Sequence, residues 1–214
     1  RWWFVAPDGQ RFISKGVTTV QFAQDHIQGT KRSPYGETSQ AKYGSHAAWR
    51  AAVAQRLIGW GFYTLGAWSD DKLAEIDVAG KRLAYAPNLD LGASFARNRG
   101  DAWLHGIFPD VFDPAFAAAA HKRAREQCEP RKNDPRVLGY FSDNELRWGA
   151  DWRSKKSLFE EFLGQPVERP GRKAVIRQLR TRHATVEAFN RAWGTQLKSL
   201  DDLVGSGDAD IARV

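Results

Sequence analysis

The chain has 214 residues, 42% hydrophobic and 27% charged, ordinary proportions for a globular protein, and its length suits one large domain or two small ones. No apolar run approaches the ~18 residues of a membrane-spanning helix, and the single cysteine, Cys128, excludes an internal disulfide. The net charge of +7 raises nucleic acid or an acidic polymer as a partner, yet no zinc-ligand spacing, phosphate-binding loop or RNA-binding aromatic motif accompanies it.

Residues 2–20, WWFVAPDGQRFISKGVTTV, read as a hairpin and a following strand. Two β-rich runs flank Pro7-Asp8-Gly9, where proline sets φ and glycine takes the positive φ of a tight turn. Residues 21–45 are polar and rich in Gly, Ser, Thr and Tyr, and are expected as a long loop. Ser45 then caps a helix in AAWRAAVAQRLIGWG, whose apolar residues recur at helical spacing. GFYTLGAW (61–68) is a short β-run ending in Ser69-Asp70-Asp71, and KRLAYAPNLDLG (81–92) is a weaker one after a polar, helix-like stretch. A loop with aromatic residues leads to Asp113-Pro114, an N-cap with proline at the first helical position, which starts a helix through Cys128.

VLGYFS (137–142) is the next strand, and beyond it the pattern is helical. Helices are expected near 154–163, near 172–183 and in TVEAFNRAWG with Thr185 as cap, with a last start at Ser199. The run RPGRKAVIRQLRTRH (169–183) carries six Lys/Arg and no acid. It is expected as a solvated helix face, so nucleic acid is not expected as a partner.

Strands alternating with helices imply a parallel sheet under covering helices. In such folds functional groups gather at the carboxyl ends of the strands, and in (β/α)8 barrels almost without exception. Three runs finish in polar residues: Gly66-Ala67-Trp68-Ser69-Asp70, Asn88-Leu89-Asp90 and Ser142-Asp143-Asn144-Glu145. Two carboxylates and an amide straight after an apolar run would be costly in a core, which assigns them to the rim.

These residues carry a resemblance. GYFSDNE resembles the fourth strand of clan A glycoside hydrolases, (β/α)8 barrels whose fourth strand ends in Asn-Glu. WWFVAPDGQRFISKGV is similar to the opening hairpin and first strand of the β-agarase-like and related β-galactosidase-like families of that clan. GWGFYTLGAWSD resembles their second strand, PDVFDPAF the start of their third helix, and FNRAWGTQLKSLDDL a segment after the fourth strand. The likeness covers most of the chain, in order. It implies an α/β fold of the (β/α)8 TIM-barrel type, a single partial catalytic domain over 1–214 holding about strands 1–4 and their helices behind a β-hairpin.

The resemblance makes Glu145 the general acid/base of a retaining glycosidase acting on a β-linked galactan such as agarose, and Asn144 a ligand of the sugar 2-hydroxyl. A glycosidic oxygen leaves only when protonated, so a carboxylic acid must stand beside it, and the same group then activates water. The 2-hydroxyl contact strengthens as the oxocarbenium-like transition state forms. Asp143 carries no assignment. Trp68, Trp103 and Trp148 lie just beyond expected strands, where sugar rings could stack on them, whereas Trp49, Trp60 and Trp193 suit helical or core positions. Asp70 on the same rim and His105 after the third strand complete the candidate binding set, with Tyr35 and Tyr43 in the first loop as further contacts.

A retaining enzyme needs a second carboxylate about 5–5.5 Å from the first. In this clan it is a glutamate ending the seventh strand, which this chain does not reach. Glu160, Glu161 and Glu187 fall on helices, and Glu75 and Glu37 flank helix and loop. The chain is therefore expected to be the amino-terminal half of a longer enzyme. Its partners would be a carbohydrate and either the rest of the barrel or a second copy covering the open sheet edges. The alternative is a non-catalytic carbohydrate-binding or inactive relative. No metal cluster or cofactor loop is visible, and neither is expected. The chain begins at Arg1 and contains no methionine, so its natural start is expected upstream, which leaves a secreted or periplasmic location open.

Overall fold

The structure is a computed structural model that describes residues 2–98, 103–104, 108–152 and 154–203. The chain divides into two compact units, Arg1–Leu89 with Gln127–Ser142, and Asp90–Glu126 with Asp143–Val214.

The first unit opens with the expected hairpin. β1 (Phe4–Val5) pairs antiparallel with β2 (Arg11–Phe12), Phe4 opposite Phe12. The turn works as its residues dictate: Gly9 takes φ +82° and the Asp8 carboxylate accepts the Gln10 N–H. β3 (Gly16–Val17), β4 (Thr64–Leu65) and β5 (Ala84–Tyr85) then form a small parallel sheet in chain order. The segment 137–141 continues that order through two parallel bridges, Val137 with Tyr85 and Phe141 with Asn88.

Successive residues of a strand face opposite ways, and the sequence uses that alternation. Leu65 and Tyr85 turn into a core shared with α2 (His46–Gly59), whose Trp49, Val53, Ala54 and Leu57 form the buried stripe. Gly16, Thr18, Thr64 and Gly66, on the other phase, line an open hollow of about 470 Å³. Gly16 is required there, because a Cβ would lie 2.7 Å from the Thr64 carbonyl oxygen. A 3-10 turn, Asp71–Glu75, joins β4 to β5, and its Leu73 and Ala74 close the core.

The expected loop over 21–45 is corrected by α1 (Pro34–Tyr43). Its start signal is present in the sequence: Ser33 accepts the Gly36 N–H at 3.1 Å, Pro34 holds the first helical position, and Gly44 closes the helix at φ +73°. No residue of α1 is buried, so the apolar periodicity that reveals other helices is missing. Trp60 is also corrected. α2 ends at Gly59, and the indole that follows is exposed beneath the Arg56 guanidinium rather than packed in the core.

The second unit holds α3 (Leu91–Asn98), a correction to the β-run end and loop expected there, and the antiparallel pair β6 (Trp103–Leu104) and β7 (Phe108–Pro109). α4 (Pro114–Cys128) begins where expected, with the Asp113 carboxylate accepting the Ala115 N–H at 2.8 Å. α5 (Leu158–Leu163) starts in a capping box between Ser157 and Glu160. α6 (Pro170–Arg182) and α7 (Val186–Trp193) follow, the latter capped by Thr185 and ended by Gly194 at φ +67°. Leu163, Ile176, Leu179, Phe189, Leu200 and Leu203 are its core.

The basic run on α6 is only partly a solvated face. Arg172 is buried, and its guanidinium donates to the carbonyls of Leu163, Gln165, Asp201 and Leu203 at 2.6, 3.1, 3.1 and 2.7 Å. It ties α5, α6 and the 3-10 turn Leu200–Asp202 together. Lys173, Arg177 and Arg180 are exposed as expected, and Arg180 pairs with Asp201.

Candidate active site

Backbone strain concentrates just past the parallel strands. Six non-glycine residues among those described have positive φ, and four of them follow strand ends: Thr19 (+62°) after β3, Trp68 (+59°) after β4, Asp90 (+51°) after β5 and Glu145 (+47°) after the segment 137–141. A β-branched threonine in this region is a genuine outlier. Strain of this kind persists only where the surroundings impose it, and it clusters at functional sites.

At the ends of β3 and β4 the imposing contacts are visible. The Thr19 N–H and the Thr18 hydroxyl both donate to the Ala67 carbonyl, the Val20 N–H to the Ser69 hydroxyl, and the Asp70 N–H to the Val20 carbonyl. The Gln21 amide donates to the Trp68 carbonyl. Trp68 is thus held by its backbone while its indole stays 45% exposed, as a sugar-stacking ring would need. Asp70 is occupied differently. One oxygen accepts the Lys72 N–H at 3.0 Å, capping the 3-10 turn, and the other pairs with the Arg50 guanidinium of α2 at 2.6 Å. Its carboxylate serves the fold.

The hollow beside the parallel strands is lined by Phe4, Ser14 and Leu138–Phe141 besides the small strand residues, and among the described residues no carboxylate or imidazole lines it. These lining residues can shelter a ligand but supply no acid or base.

The carboxylates of interest lie in the second unit, in the turn that leaves 137–141. Asp143 is half-buried, and one oxygen accepts the N–H of Gly92 at 2.7 Å and that of Ala93 at 3.4 Å. It therefore caps the first turn of α3 from 51 positions away, a contact that no local signal marks. Burial pushes its carboxyl above the ordinary carboxylate range, the two N–H donors oppose that, and the nearby Asp90 charge adds to it. Asn144 and Glu145 follow, both exposed. Leu146 turns back in, against the buried pair Phe108 and Phe162.

Arg147 is buried and ion-paired with Asp151 at 3.3 Å and with the equally buried Glu161 at 3.6 Å. It also donates to the carbonyls of Ser154 and Lys156, while the Ser154 hydroxyl donates to Glu161 at 2.7 Å. Nothing in the spacing of these residues marked Arg147. Trp148 is 72% exposed and touches Phe108 edge-on, with ring centroids 4.9 Å apart. Trp103 lies on β6 opposite Pro109, and His105 lies outside the described residues.

The remaining glutamates sit in local structure. Glu37 pairs with Arg32 at 2.9 Å, Glu160 closes the capping box of α5, and Glu187 is in the first turn of α7. Tyr35 is exposed on α1, and the Tyr43 hydroxyl accepts from Arg56 at 3.1 Å. Among the described residues no three His, Cys, Asp or Glu side chains gather as a metal site requires, and no helix is long and apolar enough to cross a membrane.

No protein-family model matches the chain. Its sequence is similar to β-agarase B of Vibrio sp. (strain JT0107), 29% identical over 185 residues, which is 81% of this chain and 19% of that protein. Its fold is similar to the solved structure of an agarase, AgWH50C, with a TM-score of 0.72, 21% identity and coverage of 97% of this chain and 37% of that one. An exo-β-agarase structure matches with a TM-score of 0.58 and 30% identity, over 76% of this chain and 23% of that one. The chain thus spans about a fifth of the length of the curated relatives it matches, and the relatives are agarases, as the sequence resemblance implies.

Proposed function

We propose that this chain is part of a retaining β-agarase-like glycoside hydrolase, with Glu145 as general acid/base. In this reading β3, β4, β5 and the segment 137–141 are the first four strands of a (β/α)8 barrel, and 1–214 forms one partial catalytic domain. The observation that carries it is the placement of Glu145. The residue follows the fourth run of a parallel series laid down in chain order, is exposed, and sits in a strained backbone conformation. Similarity to agarases over most of the chain supports the substrate class, a β-linked galactan.

The chemistry follows from the two exposed side chains. Glu145, protonated, gives its proton to the leaving glycosidic oxygen as that bond breaks, while a nucleophilic carboxylate outside this chain takes the anomeric carbon. In the second half-reaction the Glu145 carboxylate removes a proton from water as it attacks the glycosyl-enzyme. Asn144 holds the 2-hydroxyl. Trp68, Trp148, Trp103 and His105 are the sugar contacts that the resemblance implies, of which Trp68 and Trp148 are exposed. Asp70 stays a structural anchor. The hollow inside the parallel strands is barrel interior that the remaining strands would close.

The test uses the full-length protein. Glu145→Gln is expected to cut reducing-sugar release from agarose by at least ~100-fold with an unchanged unfolding midpoint. Near-native activity would remove Glu145 from the mechanism. The 214 residues alone are expected to release no sugar.

A further inference from the structure

We infer that Asp143 and Arg147 are positioning residues: a two-ended clamp that sets the direction in which Asn144 and Glu145 project. The inference rests on the acid/base reading of Glu145. Within five consecutive residues, two exposed ones are flanked by side chains bound into the protein. Asp143 is fastened to the first turn of α3, Leu146 enters the Phe108–Phe162 cluster, and Arg147 is fastened to Glu161 of α5. Asn144 and Glu145, between these anchors, are exposed.

Each end is built for position more than for stability. At the first, Asp143 comes so close to Gly92 that a Cβ there would lie 3.2 Å from the carboxylate and 3.0 Å from Pro109, so the contact depends on a residue without a side chain. At the second, a guanidinium and a carboxylate are both removed from water, an arrangement that rarely gains net stability over apolar packing. Arg147 Nε and Nη1 have carboxylates within ion-pair range but no aligned hydrogen bond, so the pairing is electrostatically favourable and geometrically incomplete. Its rigid fork nonetheless bridges four points, Asp151, Ser154, Lys156 and Glu161. A left-handed Glu145 between two such anchors cannot relax without releasing one of them.

The experiment compares Asp143→Ala, Asp143→Asn and Arg147→Lys in the full-length protein, reading kcat and KM on agarose oligosaccharides and hydrogen exchange of the 144–146 amides. Asp143→Ala loses the acceptor for the Gly92 N–H, and Asp143→Asn keeps one. The expected result is faster exchange and a kcat lower by ~10- to 100-fold in Asp143→Ala and Arg147→Lys, with KM within about twofold and Asp143→Asn close to wild type. If Asp143→Asn is as damaged as Asp143→Ala, the carboxylate acts by its charge and the clamp is overturned. Native exchange rates in Asp143→Ala and Arg147→Lys overturn it as well, whatever the activity. A fully active Glu145→Gln variant would instead defeat the acid/base reading, and with it the catalytic purpose of the clamp, while the exchange data still decide whether the clamp exists.

Discussion

Replacing Asp134 with asparagine tests how the chain is delivered into the segment 137–141. The Asp134 carboxylate accepts from Arg136 Nε at 2.8 Å and Nη2 at 2.7 Å, from the Arg136 N–H at 3.0 Å and from the Tyr85 hydroxyl at 3.0 Å. Arg136 also donates to the Ala74 carbonyl, so the cluster joins β5, the 3-10 turn and the start of the fourth run. The Arg136 guanidinium beside it brings the Asp134 carboxyl from 3.8 down to about 2, with burial opposing and the Tyr85 hydroxyl helping. A lowered native value means that the folded state releases this proton more readily than the unfolded chain. The group therefore stabilises the fold above pH ~4 and the contribution is lost as pH falls toward 2. The difference corresponds to ~2 kcal/mol at neutral pH. Asp134→Asn is expected to lower unfolding free energy by about that amount at pH 7, measured by urea denaturation, and the gap should shrink between pH 5 and pH 2.5. A gap that stays constant over that range would refute the charge argument and leave only shape.

Two further substitutions probe strain and packing. Thr19→Gly removes a β-branched side chain from a left-handed position and should raise stability by ~0.5–1 kcal/mol after the added chain entropy of glycine; a lower unfolding midpoint would show that the Thr19 side chain, not its backbone, matters. Gly171→Ala should destabilise by ~1–3 kcal/mol, because the new Cβ would overlap the buried Phe162 ring and lie 2.8 Å from the Asp110 carboxylate. An unchanged midpoint would mean that α6 can shift away from α5 freely.

Much of the fold was legible because its signals are local. The Pro7-Asp8-Gly9 turn and the Ser45, Asp113 and Thr185 caps each involve residues within a few positions of one another, and each forms as read; the Ser157–Glu160 box is equally local but was not read. α1 carried the same kind of signal in Ser33-Pro34 and Gly44 but was hidden by its polar composition. The abrupt change from apolar to polar residues at 143–145 marks a strand end, while the roles expected of Asn144 and Glu145 rest on the resemblance.

What depended on tertiary structure was the partnering of charge. Arg172 and Lys173 are neighbours in one basic run, yet one is buried and the other exposed. The difference lies in carbonyls 7 to 31 residues away that converge on Arg172 once α5, α6 and the last turn assemble. Likewise Arg147 and Glu161, 14 positions apart, become one buried pair, and Asp143 meets Gly92 from 51 positions away. A charge can leave water only where its partners have already been gathered, and which partners gather is a property of the folded chain. Sequence pattern thus determined where most helix caps, turns and strand ends lie, because those signals are local; only the fold decided which polar groups anchor the backbone, because their partners come from distant positions.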